Sequence, residues 1–261
     1  MSSPREWNSA SYHRLSDPQF GWAQKVLGRL QLRGDEIVLD AGCGSGRVTA
    51  ELLNRLPHGR VFALDLSENM LCQARDHLPP GGRISFALAN LTALPLRPAS
   101  LDGVFSTAVF HWITDHPRLF RQIHEVLKPG GWLEAQCGGG PNLQNLRDRA
   151  AAIVSRPEYL PFFRDWTGIW EYVDDKVAAQ RLRDAGFVEV ETWLEHTPAP
   201  LGDAATYKEY LQTVTCHRHG ERIADDALRE RFFDELLQRG AEEDPPFVMD
   251  YWRLNLRGRK P

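Results

Sequence analysis

Asp40, Gly42, Gly44 and Gly46 stand at alternating positions immediately after the apolar run that ends in Val38-Leu39. An acidic side chain followed by three residues without a Cβ can hold a ligand against bare backbone. Glycine reaches positive φ without penalty and lets another molecule touch the chain. The helix-compatible segment that begins Arg47-Val48-Thr49 would then turn its first N–H groups toward an electron-rich or anionic ligand group. Spacing narrows the ligand. A dinucleotide loop reads G-x-G-x-x-G, whereas here the third glycine comes one residue early and Arg47 takes the dinucleotide position. That disfavours NAD and FAD. Cys43 and Ser45, between the glycines, complete the candidate cradle.

Further residues with chemical capacity follow in order. Asp65 closes a second apolar run, Val61 to Leu64, about 20 residues beyond the glycine loop, where a carboxylate suits a bidentate grip on a ribose diol. Leu66 adjoins it, and Ser67 is placed to cap the next helix. Met70 falls on that helix's first turn, where a soft apolar side chain suits an adenine face. A fourth run, Leu101 to Thr107, leads to His111 and Trp112. Histidine donates, accepts or shuttles a proton near neutral pH. Tryptophan supplies an apolar wall and one N–H donor.

The elements that must position these residues read as alternating strands and helices. Strands end at Asp40, Asp65 and Thr107, and the helix through Leu119, Phe120, Ile123, Val126 and Leu127 has one apolar face at helical spacing. Lys128-Pro129-Gly130-Gly131 stops it, and Trp132 to Cys137 reads as a fifth strand. In such open sheets, ligands bind outside the carboxyl ends of the strands, where strand order reverses.

The Asp40-x-Gly42-x-Gly44-x-Gly46 motif, Asp65, the Ile84–Pro95 segment and the Leu-Lys-Pro-Gly-Gly turn together resemble the class I S-adenosylmethionine-dependent methyltransferases over residues 35–137. The resemblance implies S-adenosylmethionine as cofactor and S-adenosylhomocysteine as product. It also implies a Rossmann-like, doubly wound α/β sheet of seven strands, mostly parallel with the last strand antiparallel, and a helical lid insertion. Many relatives carry aspartate where this chain has Asn90, and there it accepts a hydrogen bond from the adenine amino group. Asparagine keeps a carbonyl acceptor but loses the charge, with the Leu91 backbone N–H as a second contact. Trp7 followed by Tyr12, with Arg14 beyond, resembles the N-terminal segment of trans-aconitate methyltransferase-like proteins. That segment folds over the cleft there, which would give Trp7, Tyr12 and Arg14 a part in substrate or carboxylate binding.

The expected organisation is an N-terminal arm and helix over 1–34, a cofactor-binding core over 35–137, an aromatic-rich lid over 138–176 containing Trp166, and a C-terminal completion over 177–261. A single strand is expected through Phe247 to Leu256. His217 and His219 lie close together without a partner cluster, so no metal site is expected. A net charge of −4 offers no reason for nucleic acid or an anionic membrane as partner. The four cysteines occur singly, with no signal peptide or membrane-length apolar run, pointing to a reducing cytoplasm and no obligate protein partner.

Methyl transfer from a sulfonium leaves the protein to position, desolvate and, where needed, deprotonate. A carboxylic acid arrives ionised and needs no base, whereas a phenol or amine would draw on His111. The expected reaction is O-methylation of a small carboxylic acid or similar metabolite. The rivals are N-, C- or O-methylation of a larger natural product or carrier-bound acid, and a binder of the cofactor without turnover.

Overall fold

The computed structural model describes residues 17–78, 81–168 and 170–261. The described residues divide into two compact units: residues 17–78, 81–140, 170–195 and 253–261 form the first, and 141–168 with 196–252 form the second.

The first unit is built on a seven-stranded sheet of order β3-β2-β1-β4-β5-β9-β6. Its strands are β1 (Ile37–Ala41), β2 (Arg60–Asp65), β3 (Ile84–Leu88), β4 (Leu101–Thr107), β5 (Leu127–Gly138), β6 (Val188–His196) and β9 (Trp252–Arg259). Pairings among β1 to β5 are parallel, and β9 runs antiparallel to β5. Alternate residues of one strand serve opposite faces. Val38, Val61 and Phe105 pack under α1 (Asp17–Arg29), α2 (Arg47–Asn54) and α3 (Glu68–His77). Leu39, Leu64 and Leu133 pack under α4 (His116–Val126) and α7 (Asp175–Asp184). Burial on both faces is why these strands read as continuous apolar runs.

Strand order reverses between β1 and β4, whose carboxyl ends carry the glycine loop and the His111 turn. The Lys128–Gly131 segment, expected as a turn, is the start of β5 and is held by Lys260, Gly130 N–H donating to the Lys260 carbonyl at 2.9 Å and Lys260 N–H to that of Gly131 at 2.9 Å. At Gly103 an added Cβ would fall 2.2 Å from the Trp132 ring, so β4 and β5 approach as they do because that residue has no side chain.

The second unit contains α5 (Gln144–Val154), α6 (Leu160–Phe163), α8 (Ala204–Tyr210), a π turn (Leu211–Thr215), α9 (His217–Arg222), α10 (Asp226–Ala241) and the short ribbon of β7 (Ala199–Pro200) with β8 (Val248–Met249). Its core is aromatic, with Tyr159, Tyr207, Tyr210 and Phe232 fully buried. Two sequence expectations change here. The segment expected as a lid divides, since Tyr159, Phe163 and Trp166 join the second unit while Trp170 and Tyr172 belong to the first. The strand expected through 247–256 is broken: Val248–Met249 pairs with β7, and β9 starts at Trp252. Between them Tyr251 is buried with its hydroxyl 2.7 Å from that of Tyr210, and its carbonyl accepts from Thr197 N–H.

His219 stacks on Phe232, with ring centroids 5.6 Å apart, and burial lowers its pKa to about 4. Between that value and the unfolded histidine's pKa near 6.5, the unfolded chain binds a proton that the folded chain refuses. Stability from this group is complete above that window and is lost as pH falls through it, by up to about 3 kcal/mol. His219→Phe keeps a stacking ring and removes the titration. Urea midpoints taken at pH 4.5 and pH 7 should therefore differ less for the variant than for the parent chain.

Candidate active site

The loop after β1 is tied to β2 before any ligand is considered. Gly42 and Cys43 N–H groups both donate to the Leu64 carbonyl, at 2.8 and 2.9 Å. Gly44 N–H donates to Asp65 Oδ2 at 2.9 Å, and Ser67 N–H to Asp65 Oδ1 at 2.9 Å. One carboxylate thus fixes both the cradle and the entry to α3, where Ser67 Oγ accepts from Met70 N–H.

The three glycines differ in what each requires. Gly42 has φ 86° and its Cβ would fall 2.2 Å from Val109 Cγ2. Gly46, at φ 82°, caps α2 and lies where a Cβ would press on Ala74 and Leu78. A Cβ on Gly44 would meet nothing within 4 Å. Packing therefore demands the first and third glycines, whereas the middle one faces open space. α2 has no side-chain hydrogen bond at its cap, leaving its first turn of N–H groups to other acceptors.

Asp40, Gly42, Cys43, Gly44, Ser45 and Thr107 line one solvent-open cleft. Gln19 and Phe20 of α1, with Arg47 and Ala108, complete much of its wall. These four were missed in the sequence. The readable signal was in α1, where Trp22, Ala23, Val26 and Leu27 form the inward face. One turn earlier, the same face carries Gln19 and Phe20. The Arg47 guanidinium lies 3.9 Å over the Phe20 ring.

Asp40 is buried, and Thr49 Oγ1 donates to its Oδ2 at 2.7 Å. Burial raises its pKa to about 7, the Thr49 bond opposes that rise, and the charge of Asp65 adds to it. Asp40 lines the cleft and Asp65 holds Gly44 beside it, so a ligand that brings an ammonium or sulfonium would relieve both the desolvation of Asp40 and its repulsion with Asp65. The open cradle at Gly44 and the acidic pair fit S-adenosylmethionine. Burial pushes the Cys43 thiol well above its ordinary range.

The remaining sequence candidates fall as follows. Leu66 is 46% exposed, whereas Met70 is 3% exposed because α3 buries Met70, Leu71 and Ala74 as its inner face. Asn90 Oδ1 accepts from both Thr92 N–H and Thr92 Oγ1–H, each at 2.9 Å. Its carbonyl is thereby engaged in an Asx turn, and Leu91 packs into the core. His111 and Trp112 lie in a 3₁₀ turn (Phe110–Trp112), ring centroids 4.8 Å apart, with Tyr172 5.6 Å from His111 and Trp170 6.2 Å from Trp112. Trp166 packs on Phe163, His219 and Arg222 within the second unit. Trp7, Tyr12 and Arg14 lie outside the described residues. Among the described residues no His, Cys, Asp and Glu cluster is arranged to hold a metal, and no helix is long and apolar enough to cross a membrane.

A parallel sheet of this order with its last-added strand antiparallel, and a glycine loop facing an acidic strand end at the switch point, defines a class I methyltransferase architecture. Residues 39–135 match the methyltransferase domain family. The chain is 35% identical to a trans-aconitate 2-methyltransferase of Variovorax paradoxus, over 95% of this chain and 94% of that one. It is 31% identical to one of Afipia carboxidovorans, over 93% of each. Among solved structures, phosphoethanolamine N-methyltransferase 2 of Haemonchus contortus, in complex with S-adenosylhomocysteine, shares the fold at TM-score 0.62 and 17% identity, covering 97% of this chain and 57% of that one. The chain belongs to the class I S-adenosylmethionine-dependent methyltransferases, within their trans-aconitate methyltransferase-like group. It is an enzyme of that class, and S-adenosylmethionine is its cofactor.

Proposed function

We propose that this enzyme methylates a carboxylate oxygen of a small organic acid, of the trans-aconitate type, to give a methyl ester. The reading is carried by the 35% identity to the Variovorax paradoxus trans-aconitate 2-methyltransferase, which extends far beyond residues 39–135 on both sides. S-adenosylmethionine supplies, when bound, a methyl group on a sulfonium that is already electrophilic. Gly42, Cys43, Gly44, Ser45 and Gly46 are proposed to cradle its amino-acid end beside Asp40 and Thr107. Asp65 takes the ribose, and Leu66, Met70, Asn90 and Leu91 border the base.

On the acceptor side the proposed residues are His111, Trp112 and Trp166, with Trp7, Tyr12 and Arg14 of the N-terminal arm. A carboxyl group ionises near pH 4 and reaches the site as its own nucleophile. What the chain contributes is orientation and exclusion of water. Holding the reacting atoms near attack distance is worth roughly 7–11 kcal/mol. The proposed partner is a free metabolite and the proposed setting the cytoplasm.

Incubation with cofactor and a panel of di- and tricarboxylic acids, phenols and amines, read by mass spectrometry, tests this. Methyl esters of small acids are the expected products. Methylation confined to amines, phenols or carrier-bound acids would overturn the reading.

A further inference from the structure

We infer that Asn90 meets the cofactor's base as a hydrogen-bond donor, so that it reads a ring nitrogen of the adenine and not the exocyclic amino group. The inference rests on the reading above that Asn90 borders the base, and it fixes the direction of that contact.

The sheet sets where the base falls. β1, β2 and β3 are successive parallel neighbours at one edge of the sheet, their ends about 4.8 Å apart. With the ligand's amino-acid end at the loop after β1 and its ribose at Asp65, where β2 stops, the next strand end in line is that of β3. Leu88 is the register partner of Asp65, and Ala89 N–H donates to the Asp65 carbonyl at 2.9 Å. Leu66 and Leu88, 46% and 53% exposed, lie at these two strand ends and offer apolar surface to a flat ring. Asn90 stands two residues beyond β3.

The turn that carries Asn90 is built before any base arrives. Its carbonyl accepts from Ala93 N–H at 2.9 Å. From α4, Arg118 Nε donates to the Thr92 carbonyl at 2.8 Å and Gln122 Oε1 accepts from Leu94 N–H at 2.9 Å. Within the turn, Thr92 N–H and Oγ1–H both donate to Asn90 Oδ1. A backbone N–H can only donate, so the amide atom that faces it is the oxygen, and both acceptor positions of that oxygen are filled. The side chain is left with Nδ2 and its two N–H donors. Asparagine ordinarily reads adenine with both halves of its amide, the oxygen accepting from the amino group and the nitrogen donating to a ring nitrogen. Here the accepting half is occupied inside the turn. The adenine amino group donates and cannot pair with Nδ2, whereas a ring nitrogen accepts. A carboxylate has about four acceptor positions, so aspartate in this turn could serve Thr92 twice and still take the amino group. Asparagine therefore reverses the direction of the bond.

Calorimetry on the parent chain, Asn90→Asp and Asn90→Ala tests this. The ligands are S-adenosylhomocysteine, its analogue lacking the amino group, and its analogues with C–H in place of a single ring nitrogen. Replacing one of the ring nitrogens should weaken binding to the parent by about three- to tenfold, the scale of one neutral hydrogen bond. That loss should vanish in both variants, neither of which has the donor. Removing the amino group should weaken binding to the parent no more than to Asn90→Ala, but should weaken binding to Asn90→Asp by about tenfold or more, because a charged acceptor then loses its partner. Asn90→Asp keeps the acceptor for Thr92, so it decides the matter even where the alanine chain is unstable. If removing the amino group weakened the parent tenfold and Asn90→Ala not at all, Asn90 would be an acceptor, and the inference would be overturned while its place at the base stood. If the three chains ranked every analogue alike, Asn90 would not touch the base, and the reading beneath the inference would fail with it.

Discussion

Asp65→Ala is expected to weaken S-adenosylhomocysteine binding by about a hundredfold or more while lowering the melting temperature by only a few degrees. The carboxylate accepts from the Gly44 and Ser67 N–H groups, both at 2.9 Å, so it holds the cradle in shape. Carboxylates have about four acceptor positions, so this task leaves capacity for ribose hydroxyls. Hydrogen bonds to a charged group contribute roughly 1.5–3 kcal/mol each. Loss of the proposed diol contact together with loosening of Gly44 would then exceed the roughly 2.8 kcal/mol that corresponds to a hundredfold. Stability suffers less because Asp65 lies at a half-exposed strand end whose amides can turn to water. Asp65→Asn keeps one acceptor oxygen and should fall between the two. Calorimetric titration with S-adenosylhomocysteine checks the order, and unchanged affinity in the alanine variant would remove Asp65 from the site.

The part of this site that was legible in the sequence is the part set by local geometry. Asp40, the three glycines and Asp65 are each adjacent to a strand buried on both faces, and an apolar run ending in a short polar residue marks such a strand end without any tertiary knowledge. What escaped depended on residues far apart in the chain. The bond from Gly138 to His111 spans 27 positions, so a histidine after β4 could be read as base, donor or filler. At the break in 247–256, Tyr251 meets Tyr210, 41 residues away. The aromatic crowding from Tyr159 to Tyr172 looks like one cluster because composition cannot show that Trp166 and Trp170 belong to different units. Asn90 is an intermediate case. Thr92 two residues later is the signature of an Asx turn, and the structure engages the amide oxygen in that turn.

Alanine substitutions at Gly42 and Gly44 are expected to fail in opposite ways, although the two positions are separated by one residue. At Gly42 a methyl group would meet Val109 Cγ2 at 2.2 Å on a backbone with φ 86°. Left-handed strain of about 1–2 kcal/mol and overpacking of about 1–3 kcal/mol together predict a melting temperature lower by about 5–15 °C for a chain of this size. At Gly44, φ is 54° and a Cβ points into open space, so the protein should stay within a few degrees of the parent. That same methyl group, however, stands in the cleft where the cofactor's backbone contacts are proposed, and should reduce S-adenosylhomocysteine affinity by tenfold or more. Gly46→Ala presses on Ala74 and Leu78 and should behave like Gly42→Ala in a weaker form. Thermal melts paired with calorimetry on the three variants separate a glycine needed by the fold from one needed by the ligand. If Gly44→Ala bound S-adenosylhomocysteine as the parent does, the loop would be a packing device throughout, and the cofactor's amino-acid end would have to lie elsewhere in the cleft.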